Sequence, residues 1–326
     1  MVKRREELDN LTDNTGKSTS MNVILVGLCL VGLLALTLAD SSTGEWEPQW
    51  IPDTEGWKTL MNKRAHQAAR IVDNQQRWDA YVSLTVAGLL TPNYTKNGYE
   101  VVDAPAEIYE ELKALLEEGM DHLRKEASVD QISGEKCDFI SVPNSRDILR
   151  RLQPLHEEWA GVKLRPSNAY GLRLYREGNW LTMHTDNHKS HIISSVLHVA
   201  RDVDEPYPLV IEGYDGKTVA VDLLPGQMLF YESAKCFHGR PRPMKGNFYT
   251  SLFIHYAPVD YNGEKIVERA AAAFGRERYH TVLTQDNKYA EVQLKGTGWY
   301  NPACPDNWCD LSQEVITVKT GSHDEL

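Results

Sequence analysis

Cysteine is scarce in this chain, five in 326 residues, and no two of them form a Cys-x-x-Cys pair. Most zinc ribbons and fingers are built on that spacing, so its absence argues against a structural zinc centre. So few cysteines in so long a chain also exclude a small disulfide-framed scaffold. Cationic charge is short as well, with 35 Lys and Arg against 46 Asp and Glu and a formal net charge of −11. No basic stretch is available to neutralise phosphates, which excludes nucleic acid as a partner. Nothing repeats at a fixed period, so solenoids and propellers are excluded. Long apolar runs are missing too, apart from the uncharged stretch Val23–Ala39. What remains is ordinary globular material. Apolar residues make up 41% of the chain and charged residues 25%, enough to bury one substantial core beyond residue 50.

The pattern that carries chemistry is His184-Thr185-Asp186, with His238 following further along the chain. On a β-strand, residues i and i+2 face the same way, so His184 and Asp186 can hold one ion while Thr185 faces away. A third ligand then has to come from a neighbouring strand. The segment Asp222–Tyr231 reads as a strand end, a Pro225-Gly226 turn and a short apolar strand leading towards His238. Two imidazoles and one carboxylate leave coordination positions open, which is the ligand set of non-haem Fe(II) oxygenases. His-x-Asp also arises by chance among eleven histidines, and His188, His191 and His198 read as surface or strand residues. The setting distinguishes this triplet. Tyr170–Gly178 reads as a strand and turn, and His191–Val199 and Phe248–Tyr256 as further strands, a succession that suits a jelly-roll barrel.

With those residues in order, the stretch Pro166–Pro258 resembles the prolyl 4-hydroxylase branch of the Fe(II)/2-oxoglutarate-dependent dioxygenases. The resemblance rests on the metal residues, on Tyr175 ahead of the first histidine, on the Pro225-Gly226 turn and on the His238–Pro241 segment. It implies an α+β fold with a double-stranded β-helix (jelly-roll) core, Fe(II) on His184, Asp186 and His238, and 2-oxoglutarate as cosubstrate beside Tyr175. It further implies oxidative decarboxylation to succinate, coupled to hydroxylation of peptidyl proline to 4-hydroxyproline in secreted or cell-wall polypeptides, with ascorbate as an auxiliary. One family feature is displaced. Where the family carries a Lys or Arg for the far carboxylate of 2-oxoglutarate, this chain has Phe248. Three basic residues are candidates for that task. Arg240 shares the face of His238 if the strand continues, Arg173 lies beside Tyr175 by strand alternation, and Lys245 sits in the following turn. The planar fork of a guanidinium matches a carboxylate, which places the two arginines ahead of the lysine.

Both ends of the sequence raise expectations about location. His323, Asp324, Glu325 and Leu326 match a retrieval signal read by a receptor for endoplasmic-reticulum proteins. Val23–Ala39 is short for a membrane span and long for the core of a signal peptide. Lys3, Arg4, Arg5 and Lys17 precede it and Asp40, Glu45 and Glu47 follow, so the positive-inside rule puts the N-terminus in the cytosol and the remainder in the lumen. Thr37-Leu38-Ala39 is a candidate cleavage site that would leave a soluble lumenal protein, while the long polar stretch ahead of the run favours an uncleaved type II anchor. In that compartment Asn93-Tyr94-Thr95 is a glycosylation sequon. Cys304 and Cys309 suit a local disulfide, and Cys137 is then left to meet Cys236.

The expected organisation is a cytosolic tail (1–22), a signal anchor (23–39), a connector and helical segment (40–100) and a helical support region (101–165). The dioxygenase core (166–258), a C-terminal helix with a cysteine-clipped segment (259–322) and the retrieval signal (323–326) follow. Apolar spacing predicts helices over Trp57–Val72, Ala104–Ala127, Arg146–Trp159 and Glu264–Arg278. The partners implied are a proline-containing polypeptide, the retrieval receptor and a membrane crossed by one N-terminal helix. Two other readings stay open: a lumenal binding or assembly subunit that keeps the barrel without turnover, which Phe248 favours, and an oxygenase acting on another residue or a small molecule.

Overall fold

The computed structural model describes residues 49–69, 74–127, 131–274 and 315–318. The expected anchor at 23–39, Cys304, Cys309 and the last four residues lie outside the described residues. No helix among the described residues is long and apolar enough to cross a membrane.

Five helices and thirteen strands are described. Helix α1 (Glu55–Ala69) and helix α2 (Asn74–Thr85) come first, the second running into a π-helical turn at Val86–Leu90. The α2 stripe of Arg77, Ala80, Tyr81 and Leu84 is buried, and it escapes a search for apolar periodicity because its first member is an arginine. Strand β1 (Tyr99–Asp103) leads to α3 (Ala106–Gly119), which buries Ile108, Leu112 and Leu116. This helix is shorter than the spacing over Ala104–Ala127 suggests. Gly119 passes so close over Ile140 that a Cβ there would sit 2.7 Å from it, and a single 3-10 turn at Met120–His122 then releases the chain into β2 (Arg124–Lys125). After β3 (Ile132–Ser133) and β4 (Asp138–Phe139), helix α4 (Ser145–Ala160) buries Ile148, Leu149, Leu152 and His156 along one side. It stops at Gly161, whose left-handed φ of 67° lets its amide close on the Glu157 carbonyl.

The strands that follow are β5 (Leu164–Tyr175), β6 (Trp180–His184), β7 (Ile193–Val203), β8 (Leu209–Glu212), β9 (Thr218–Val221), β10 (Gln227–Tyr231), β11 (His238–Arg240) and β12 (Gly246–Pro258). Helix α5 (Gly263–Phe274) and strand β13 (Val315–Val318) complete the set. One sheet has the order β1-β10-β7-β12-β5-β4-β2 and the other β13-β9-β8-β11-β6-β3. Every pairing is antiparallel except that of β13 with β9. The larger sheet thus takes in β1, β2 and β4, which lie outside the 166–258 segment. The Pro225-Gly226 turn forms as expected. The amide of Gln227 bonds the Leu224 carbonyl at 2.9 Å, and Gly226 takes a φ of 87° that a residue with a side chain rarely adopts.

Alternation along β12 shows where the core and the interior lie. Leu252, Ile254 and Tyr256 pack outward with α3 and α4 residues such as Leu112, Ile148 and Leu152. Tyr249 and Phe253 turn inward, towards Tyr175 and Tyr207. The outer face of the large sheet is therefore sealed by helices, and its inner face meets the smaller sheet. That is the two-sheet jelly-roll arrangement expected from the strand pattern.

The structure does not pair Cys137 with Cys236. Both are buried free thiols. Cys137 precedes β4, with its sulfur 3.5 Å from Asn179 Oδ1, whereas Cys236 lies 3.6 Å from the carbonyl of Gly98, which precedes β1. Strands β1 and β4 are separated by β10, β7, β12 and β5 in the sheet, far beyond the reach of an S–S bond.

Candidate metal centre

His184 and His238 are direct partners across the β6–β11 ladder, and their rings lie 4.5 Å apart. Asp186 is not in the strand with His184, as the i, i+2 argument supposes. Strand β6 ends at His184, and Asp186 is held in the following loop by its amide, which donates to the Ser233 carbonyl at 2.8 Å. The carboxylate still arrives at the same place. Its Oδ1 is 3.5 Å from His184 Nε2 and 3.6 Å from His238 Nε2, and the three ligand atoms lie within 4.8 Å of one another.

Backbone carbonyls set the chemistry of both imidazoles. His184 Nδ1 donates to the Thr182 carbonyl at 2.7 Å and His238 Nδ1 to the Cys236 carbonyl at 2.9 Å. A carbonyl only accepts, so each Nδ1 carries the proton and each Nε2 can present a lone pair towards Asp186. Asp186 is half-buried, and its Oδ2, shielded from solvent, has no hydrogen-bond partner. Burial alone would push its carboxyl up, but with both imidazoles protonated in place of a bound metal, the charge of His238 and hydrogen bonds from His184 and His238 hold it well below the usual carboxylate range. An ionised, desolvated and incompletely bonded carboxylate is costly on its own. A divalent cation bound by two nitrogens and one oxygen would remove that cost, and this donor set suits Fe(II). A further histidine stands behind the three: His255 Nδ1 lies 3.6 Å from Asp186 Oδ2 and 2.8 Å from the Ser194 hydroxyl.

The interior continues away from this centre through aromatic rings. Tyr231 stacks edge-on against His238 at 4.6 Å, and Tyr175 is fully buried. Beyond them lies Arg240, only 2% exposed, with its guanidinium carbon 4.2 Å from the Tyr249 ring centroid, 4.9 Å from that of Tyr207 and 5.9 Å from that of Tyr175. Its Nη1 donates to the Tyr207 carbonyl. No carboxylate among the described residues pairs with Arg240, although a buried cation without a counter-charge is unfavourable by several kcal/mol.

The other basic candidates are already engaged. Arg173 is buried beside Tyr175 as alternation requires, but both oxygens of Glu126 occupy its fork, at 2.7 Å each. Lys245 is exposed and pairs with Glu205 at 2.9 Å, away from the interior. Phe248 faces out of the barrel against Tyr109, Leu116 and Met120. His198 is a strand histidine, as expected, buried on β7 where burial drives its pKa down to about 3 and its ring stacks on Tyr249 at 4.0 Å, while His188 is half-buried in the loop after β6, its pKa lowered by burial to about 4. Sequence reasoning misses Glu126, Tyr207, Tyr249 and His255. Alternation from Phe248 would have found Tyr249 and His255, whereas no local signal marks Glu126 or Tyr207.

No family model matches the chain, and no curated protein matches it. Solved structures do. A Pseudomonas putida prolyl-4-hydroxylase is 17% identical with a TM-score of 0.40, covering 54% of this chain and 98% of its own. An oxidoreductase of the 2OG-Fe(II) oxygenase family from Burkholderia pseudomallei is 16% identical with a TM-score of 0.40, covering 55% of this chain and 90% of its own. A Trichoplax adhaerens prolyl hydroxylase, solved with a hypoxia inducible factor peptide fragment, is 14% identical with a TM-score of 0.40, covering 60% and 93%. Likenesses this slight leave the chemistry to be argued from this chain's own residues. The proteins it resembles are 2-oxoglutarate-dependent oxygenases, prolyl hydroxylases among them.

Proposed function

We propose that this chain is an Fe(II)- and 2-oxoglutarate-dependent oxygenase that hydroxylates peptidyl proline in secreted or cell-wall polypeptides. The observation that carries the oxygenase reading is the pairing, inside one barrel, of a His184–Asp186–His238 centre with a buried guanidinium, Arg240, that lacks a carboxylate partner. Fe(II) with 2-oxoglutarate would supply the oxidation itself, releasing succinate as a C–H bond is hydroxylated. The protein's part is to hold and to orient. His184 and His238 would hold the metal through fixed Nε2 atoms, and Asp186 would add the anionic ligand. Arg240 neutralises the far carboxylate of 2-oxoglutarate in a wall of tyrosine rings that excludes water. Ascorbate belongs to this reading as an auxiliary, and a proline-containing chain as the substrate.

We place the reaction in the lumen of the endoplasmic reticulum, anchored by Val23–Ala39. That apolar run, its flanking charges and the terminal retrieval motif support this location. Asn93 is exposed, as a glycosylated asparagine has to be. In cells with a secretory pathway, Asn93→Gln is expected to remove an endoglycosidase-sensitive mobility shift, and identical migration of the two proteins would count against a lumenal location.

The direct test is Fe(II)-dependent succinate release from 2-oxoglutarate, with and without a proline-rich peptide. Stimulation by peptide, lost in Asp186→Ala together with Fe(II) binding, is the expected result. Succinate release that needs another acceptor would leave an oxygenase with a different substrate, and folded, iron-loaded protein that makes none would point to a binding or assembly subunit. The feature favouring that subunit is weaker than the sequence suggests. Phe248 leaves no gap in the interior, because Arg240 stands there as the cation.

A further inference from the structure

Glu126, Arg173 and Tyr175 form a buried chain of contacts in which Arg173 donates to both of its neighbours. Arg173 Nε and Nη2 are taken by Glu126 Oε2 and Oε1, both at 2.7 Å, in the parallel fork that charged pairs favour. The rings of Phe253, Tyr170 and Tyr175 surround the guanidinium at 4.8, 5.2 and 5.7 Å. Nη1 remains, and it donates to the Tyr175 hydroxyl oxygen at 3.2 Å. An arginine has donors only, so the phenol oxygen must act as acceptor and its own proton has to point elsewhere. No described residue accepts that proton. Burial pushes the Tyr175 pKa up, against the lowering effect of Arg173 and Arg240, so the phenol stays protonated. Tyr175 thus stands between two guanidiniums, one on its oxygen and one, Arg240, beside its ring.

We propose that Glu126, acting through Arg173, orients the Tyr175 hydroxyl as a hydrogen-bond donor into the barrel, towards the carboxylate that Arg240 binds. The inference rests on the reading that 2-oxoglutarate occupies this space. Glu126 and Arg173 are positioning residues, and Tyr175 makes the contact.

Calorimetric titration of 2-oxoglutarate into the Mn(II)-loaded full chain tests this without turnover, using wild type, Glu126→Gln, Tyr175→Phe and the double variant. Each single change is expected to weaken binding about ten-fold, the size of one hydrogen bond to a charged group. The double variant is expected to bind no more weakly than Tyr175→Phe alone, because Glu126 acts only through that hydroxyl. In turnover assays, Glu126→Gln raises KM for 2-oxoglutarate while kcat holds. Additive losses of about a hundred-fold in the double variant overturn the relay and leave the cosubstrate reading standing. Wild-type protein that binds Mn(II) but no 2-oxoglutarate overturns that reading, and the relay with it. Arg173→Lys keeps the charge and loses the fork, so it serves in the same cycle if Glu126→Gln fails to fold; undiminished affinity there also overturns the proposal.

Discussion

His156 is an interior histidine with a purely structural part to play, and it makes the fold sensitive to acid. It lies on α4 with its ring 4.3 Å from Phe230 and 4.6 Å from Tyr256. Its Nδ1 donates to the Leu152 carbonyl at 2.8 Å, so its Nε2 is left to accept from the Ser195 hydroxyl at 2.9 Å. Burial lowers its pKa from 6.5 to about 4. The unfolded chain therefore binds the proton more tightly than the folded one. The stability that His156 contributes is fully present above pH 6.5 and is lost as pH falls towards 4, a swing of about 3 kcal/mol. Gln in its place cannot charge, so His156→Gln is expected to flatten the fall in melting temperature between pH 6.5 and 4. An equally steep acid limb in that variant would mean other groups, such as buried His198 with its pKa near 3, carry the whole effect.

Strand β12 governs which residues can reach the interior, and its register explains the displaced cation. Phe248 faces α3 and Tyr249 faces Arg240, so a basic residue at 248 would enter an apolar wall beside Leu116 and Met120. Phe248→Lys is accordingly expected not to restore 2-oxoglutarate binding to an Arg240→Met protein, and to lower stability by roughly 1–2 kcal/mol through lost aromatic burial. Restored binding would show that the strand can slip by one residue. The same periodicity sets the limit on what the sequence can reveal. His184, His238 and the Pro225-Gly226 turn are legible from strand pattern and turn chemistry, whereas Asp186 is found by its spacing although a loop, not the strand, delivers it. Alternation also puts Arg173 and Arg240 inside, yet it cannot choose between them. The choice depends on Glu126, which meets Arg173 across 47 residues of chain and has no counterpart at Arg240. Strands β1 and β8 were hidden for a similar reason, being short segments defined by distant partners.

The helices before the barrel and the metal centre are bound into one cooperative body by buried charge. Arg64 of α1 pairs with Glu212 at the end of β8, both side chains 1% exposed. Strand β8 holds His238 opposite Ile211, and the Glu212 amide donates to the Phe237 carbonyl at 2.9 Å. Lys235, three residues before His238, donates to the carbonyls of Ile51 and Thr91 at 2.8 and 2.6 Å. Losing the cation of the Arg64–Glu212 pair strands a carboxylate whose pKa burial already pushes up. Arg64→Met is expected to cost about 3–5 kcal/mol, and adding Glu212→Gln to recover much of it, since a neutral pair leaves no buried charge unanswered. Because β8 stands between α1 and His238, the loss of helical signal and the release of a bound metal should coincide in one denaturant transition, shifted together in Arg64→Met. Circular dichroism and metal release followed on the same samples decide it. Two separate transitions, with the metal retained after the helices have melted, would mean that the barrel holds its ligands in place without help from residues 50–90.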